Sequence, residues 1–168
     1  MVTRRVPTAP VPIRRPVTCH PDPVITVERT AEVPHPVPAV FAYLSDFTRT
    51  EEWDPATIRT TRTDDGPLRV GATFHNVSHF GSRLTELDYR IERFEQDARV
   101  TFTGNNRTVE ATDDLTFTGL GDACVITYRA HFRFKRWVRL IEPLLRRRFE
   151  PIADETMAHL VRTLAERL

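Results

Sequence analysis

The feature that most constrains this chain is a change in the period of its apolar residues. Between Val24 and Lys135, apolar and polar residues alternate in runs bounded by turn signals, and beyond Arg136 apolar residues return every three or four positions. Alternation puts successive side chains on opposite faces of a strand, while the longer period gathers them on one stripe of a helix. The alternating runs are VITVERTAEV, ATIRTTRT, ATFHNVSHF, RLTELDYRIERFE, ARVTFTG, TVEATDDLTFTGL and ACVITYRAHFRFK. Asp65-Gly66-Pro67, Gly81-Ser82, Gln96-Asp97, Gly104-Asn105-Asn106 and Gly121-Asp122 separate the last six. Strands joined by such short turns pair antiparallel, so an α+β domain with a seven-stranded sheet is expected. Trp137, Ile141, Leu144, Leu145, Phe149, Ile152, Met157, Leu160, Val161, Leu164 and Leu168 mark one amphipathic helix. Pro143 and Pro151 should kink or break it, leaving a straight portion from about Ala153.

Between the first two strands lies AVFAYLSDFTRTEEWDP, residues 39 to 55. Pro38, Val40, Phe41 and Leu44 predict a short helix, and the acidic turn ending at Trp53-Asp54-Pro55 predicts a second. Two short helices cannot cover the apolar face of seven strands. The long C-terminal helix is the element able to lie across it, and a curved sheet around one helix leaves a gap.

The chain has 168 residues, enough for one domain, and 24 basic against 23 acidic residues give a net charge of +1. No field of either sign is built for nucleic acid. Residues 1–23 differ from the rest, with Pro7, Pro10, Pro12, Pro16, Pro21 and Pro23 beside Arg4, Arg5, Arg14 and Arg15. They are expected to form a disordered Pro/Arg-rich arm ahead of a folded domain at 24–168. No apolar run is long enough to span a bilayer or to form a secretory signal, so a cytoplasmic location is expected. Cys19 and Cys124 are the only cysteines, and no disulfide is expected.

Strand parity predicts what lines the gap. Cys124, Ile126, Tyr128, Ala130, Phe132 and Phe134 share one face of the last strand. Leu87, Tyr89 and Ile91 face inward in the fourth strand, as do Val100 and Phe102 in the fifth. The third strand is ambiguous, and its two phenylalanines favour Phe74, Asn76, Ser78 and Phe80 inside. Val109, Ala111, Asp113, Leu115 and Phe117 share the inner face of the sixth, which aims one carboxylate inward. Burial would raise its pKa, making Asp113 the candidate proton shuttle, against the plainer reading of an exposed residue at the sheet's edge. The candidate ligand contacts are Trp53, Phe74, Asn76, Ser78, Tyr89, Phe102, Phe117, Tyr128, Phe132 and Met157.

Other chemistry is poorly supported by the pattern. His75 and His79 in HNVSH would stand about 13 Å apart on a strand, too far to share a metal ion. Parity points both to the outer face, and no His-carboxylate pair can be placed inside. Neither a metal nor a cofactor is expected. The stretch Arg136–Phe149 alternates arginines with Trp137 and leucines, a pattern suited to transient contact with an anionic membrane as well as to a solvated helix face.

The order of elements, with Val40, Phe41, Leu44, Asp46, Trp53, Asp54 and Pro55 in the opening stretch, resembles the START-like, helix-grip SRPBCC superfamily. Gly71, DYRIERFEQDARVTF (88–102) and EPLLRRRFEPIADETMAHLVRTLAERL strengthen the likeness to its bacterial polyketide cyclase/dehydrase and lipid-transport branch. The resemblance covers about residues 24 to 168. It implies a curved sheet gripping the C-terminal helix, with Trp53 as an apolar plug where the short helices close one end. It also implies a hydrophobic small-molecule ligand. Three classes follow: a carrier of a lipid or polyketide-like compound, a cyclase or dehydratase, and a module that contacts a protein or ribosome. Lack of a placeable acid-base pair favours the carrier, expected as a monomer or weak dimer.

Overall fold

The computed structural model describes residues 24–80, 82–134 and 142–168. In chain order the elements are β1 (Val24–Val33), α1 (Val37–Leu44), a 3-10 turn (Phe47–Arg49), α2 (Thr50–Trp53), β2 (Thr57–Arg62), β3 (Thr73–Phe80), β4 (Arg83–Glu95), β5 (Arg99–Asn105), β6 (Val109–Leu120), β7 (Ala123–Phe134) and α3 (Glu142–Arg167). The strands form one antiparallel sheet in the order β1-β7-β6-β5-β4-β3-β2. Strands β2 to β7 are thus a meander of neighbours, and β1 joins beside β7. Irregular register between Thr57 and Arg59 and between Ile91 and Arg93 bends the sheet, as bulges do.

Parity correctly separates the two faces. Phe74, Ile91, Val100, Phe102, Leu115, Cys124 and Ile126 are all at most 1% exposed. The ambiguous third strand turns Phe74 and Asn76 inward and leaves His75 half-buried on the outer face, where its Nδ1 lies 2.9 Å from Asp88. One turn falls later than its sequence signal. The Gly104-Asn105-Asn106 signal suggests a turn, yet β5 continues through Asn105 and the chain reverses at Asn106, whose side chain accepts from Thr108 N and Val109 N. Gly104 has another purpose, set by its neighbour Tyr89.

Helix α3 presents Leu160 and Leu164, both fully buried, and Met157 to the sheet. It passes through Pro151 without a break. Arg29 of β1 holds it with bonds to Asp154 (2.5 Å) and Glu150 (2.8 Å). Nearer its C-terminus, Arg167 pairs with Glu52 of α2 at 2.9 Å and Thr163 donates to the Glu52 carbonyl. The acidic turn of the opening stretch is therefore a set of tethers. Glu51 accepts from Thr60 N, Glu52 accepts from Tyr43 Oη, and Asp46 caps the 3-10 turn by accepting from Thr48 N. The expected N-terminal arm at 1–23 and Cys19 within it lie outside the described residues, as do residues 136–141 of the basic stretch suited to membrane contact. Its last residue, Phe149, is buried and stacks on Phe132 with ring centroids 4.4 Å apart.

Candidate functional site

A cavity of about 400 Å³ lies between the inner face of the sheet, α2 and α3. Of the residues singled out by sequence, Trp53, Asn76, Ser78, Tyr89, Asp113, Tyr128 and Phe132 line it. Phe74, Phe102, Phe117 and Met157 are buried but do not line it, and form the packing behind the wall. Phe117 stacks edge-on against Phe41 of α1, and Phe74 and Phe102 both pack on Phe47. Phe47 is a wall residue that the sequence reading missed. The 3-10 turn tips its ring into the cavity, against Tyr89 at 4.5 Å. Trp53 is 3% exposed and meets Tyr128 edge to face at 6.0 Å.

Asp113 is 7% exposed and faces inward from β6, so the exposed-edge alternative does not hold. Tyr128 Oη donates to its Oδ1 at 2.7 Å, and the Tyr89 phenol lies close enough to the same carboxylate to pull its pKa down. The strand register explains how Tyr89, two strands away, gets there. Tyr89 is opposite Gly104 on β5, and Gly104 is opposite Ala111 on β6. A β-carbon on Gly104 would lie 2.6 Å from the Tyr89 ring. The glycine thus leaves a slot through which the ring crosses β5 to reach Asp113. Burial pushes the Asp113 carboxyl up to about 6, against the opposing pull of the two phenols and with a further push from the charge of Asp54. Burial, followed by the Asp113 charge, raises both tyrosines well above the ordinary phenol value. An acid of about 6 beside two phenols can take up or release a proton near neutral pH.

Asp54 is a second carboxylate on the cavity wall. Its turn-forming role is visible: Oδ1 accepts from Ala56 N at 3.1 Å and Oδ2 from Thr57 Oγ1 at 2.7 Å. Burial raises its pKa despite these bonds and the lowering influence of the Thr156 hydroxyl of α3. An Asp preceding Pro reads in sequence as a turn alone, and nothing local announces that the same carboxylate borders a cavity. Beside it runs a buried relay in which Asn76 Nδ2 donates to Thr60 Oγ1, which lies 2.7 Å from Thr50 Oγ1, itself donating to the Phe47 carbonyl. Asn76 is thus committed to fixing the 3-10 turn and α2. His79, expected outside, is exposed at the cavity mouth near Phe80. Among the described residues, no three His, Cys, Asp or Glu side chains gather as a metal site would require. Burial raises the pKa of the Cys124 thiol and leaves it inert.

A curved antiparallel sheet gripping one long helix over an internal cavity defines a helix-grip protein of the START-like superfamily. The chain belongs to the polyketide cyclase/dehydrase and lipid transport family, whose model matches residues 24–165. No curated protein matches the sequence. Among solved structures it resembles the di-domain aromatase/cyclase StfQ of the steffimycin biosynthetic pathway, with a TM-score of 0.67 and 14% identity over 86% of this chain. It spans 51% of that longer protein. The Zhui aromatase/cyclase from Streptomyces sp. R1128 gives 0.67 at 11% identity, covering 83% of this chain and 90% of its own. Norcoclaurine synthase from Thalictrum flavum, in complex with dopamine and hydroxybenzaldehyde, gives 0.63 at 16% identity over 97% and 99%. Identities this low establish a shared fold. Among the described residues, no helix is long and apolar enough to cross a membrane.

Proposed function

We propose that this chain binds and carries an apolar small molecule, lipid-like or polyketide-like in shape, between the sheet and α3. The observation that carries this reading is the cavity itself. Its volume of about 400 Å³ lies within the range of small-molecule sites, and its wall is mostly aromatic and aliphatic with a few inward polar groups. Trp53, Ser78, Tyr89, Tyr128 and Phe132 are the proposed contacts, with Asn76 holding the local frame. The family description, which joins cyclases with lipid transport, supports the same substrate class. So does the presence of small aromatic molecules in norcoclaurine synthase. Titration with the neutral dye Nile red should show uptake in the micromolar range, about 8 kcal/mol of binding free energy. Native mass spectrometry of protein from its own host should show a co-purifying small molecule. A folded protein that takes up no apolar probe would sink the reading.

One observation favours a second reading, catalysis of a cyclisation or dehydration. Asp113, with a pKa of about 6, a hydrogen bond from Tyr128 and the Tyr89 phenol nearby, has the character of a general acid-base inside the cavity. In an enzyme, Asp113→Asn should lower turnover by roughly two orders of magnitude or more. In a carrier it should leave the uptake of a neutral ligand almost unchanged.

A further inference from the structure

Three carboxylates line the cavity, the sheltered Asp54 and Asp113 and the exposed Glu155, and among the described residues no arginine or lysine lines it. Other sheltered carboxylates of this fold are treated differently. Asp114, one residue along β6 and as well buried as Asp113, takes Arg99 at 2.7 Å and lies 3.9 Å from Arg129. Asp64 takes Arg62 and Arg69, and Glu52 takes Arg49 and Arg167. Asp113 accepts from the Tyr128 phenol, and Asp54 from the Thr57 hydroxyl and the Ala56 amide. The bases near them are His79 at the mouth and His159 beside Asp54, each charged only when protonated. Glu155 at the lip adds charge of the same sign.

A carboxylate withdrawn from water without a cation is costly, and the cost disappears if the occupant brings the cation. The faces of Trp53, Tyr128, Tyr89, Phe47 and Phe132 suit the same occupant, because an aromatic quadrupole attracts positive charge. Building on the binding reading above, we propose that the ligand is an apolar amine, bound as its ammonium ion against Asp113 and Asp54.

Three probes with one apolar body separate the possibilities: 2-naphthylethylamine, 2-naphthylethanol and 2-naphthylacetate, titrated calorimetrically into the full chain at pH 7.5. The amine should bind at least about tenfold more tightly than the alcohol, and the carboxylate should bind weakest. Asp113→Asn, and independently Asp54→Asn, should each weaken the amine by about tenfold while changing the alcohol less than about threefold. Should either variant fail to fold, the ranking of the three probes on the native chain still decides. Equal affinity for amine and alcohol, or tightest binding of the carboxylate, would overturn the amine proposal and leave the cavity as a binding site. Failure of all three to bind would overturn both.

Discussion

Asparagine at position 113 changes one thing, the charge that the cavity holds. It keeps the volume of the aspartate, its oxygen still accepts from Tyr128, and its amide can donate to the Tyr89 oxygen. The carboxyl has a pKa of about 6 in the folded protein against an ordinary 3.8. At 1.36 kcal/mol per pH unit the difference amounts to about 3 kcal/mol against folding. The sign follows from proton binding. Above about pH 6 the folded state must hold a charge that the unfolded chain holds freely in water, so the penalty is complete; below about 3.8 both states are protonated and it vanishes. Asp113→Asn should therefore be more stable than the native chain by up to about 3 kcal/mol at pH 8, and the two should converge as pH falls toward 4. For a domain of this size the shift is roughly 6–12 °C in Tm. Urea or thermal unfolding of both proteins across pH 4 to 8 measures it, because titrating groups that do not feel the Asp113 charge cancel in the difference and only its coupling to Asp54 adds to it. A gap that does not depend on pH, or a variant less stable at pH 8, would refute the account of Asp113 as a charge confined by burial.

Gly104→Ala places a β-carbon against the Tyr89 ring and should cost about 1–3 kcal/mol in urea unfolding, with the Tyr89 phenol displaced from the neighbourhood of Asp113. Tyr128→Phe removes a donor to the Asp113 carboxylate, so its pKa should climb above 6, as followed by carbon NMR of the side-chain carboxyl against pH. For Arg99→Ala the expected loss is about 2 kcal/mol at pH 7, since Asp114, which burial pushes up but Arg99 and Thr101 hold below the ordinary carboxylate value, is left without its main cation. That loss should shrink as the pH falls through the folded pKa of Asp114, where the native chain gives up the same stabilisation.

How much of this was legible in the sequence depends on the range over which each signal acts. Alternation in RLTELDYRIERFE and ACVITYRAHFRFK, and the apolar stripe around Leu160 and Leu164, are local and strong, and they define both faces of the sheet and the covering helix. The inward direction of Asp113 follows from the same parity. Parity cannot tell a wall from a core, however. Tyr128 and Phe117 share the inward faces of neighbouring strands, yet Tyr128 meets the cavity and Phe117 meets Phe41, because α1 lies over one end of the sheet and not the other. Asp54 and Phe47 were hidden for another reason. Both sit in irregular backbone, where no period predicts a side-chain direction. The signal that could have revealed part of the site was Gly104, a glycine inside a β-branched run, which marks a close approach as often as a turn.

The seating of β1 has a consequence for how the molecule comes into being. Thr26 of the first strand meets His131 of the last, 105 residues further along, while every other pairing in the sheet joins neighbours in sequence. During synthesis the meander from β2 onward can zip up hairpin by hairpin, but β1 has no edge to join until β7 emerges, and the apolar face stays uncovered until α3 follows. Contacts of such long separation make for slow closure and a prolonged exposure of sticky intermediates. The last quarter or so of the chain, from β7 onward, therefore acts as the event that commits everything made before it.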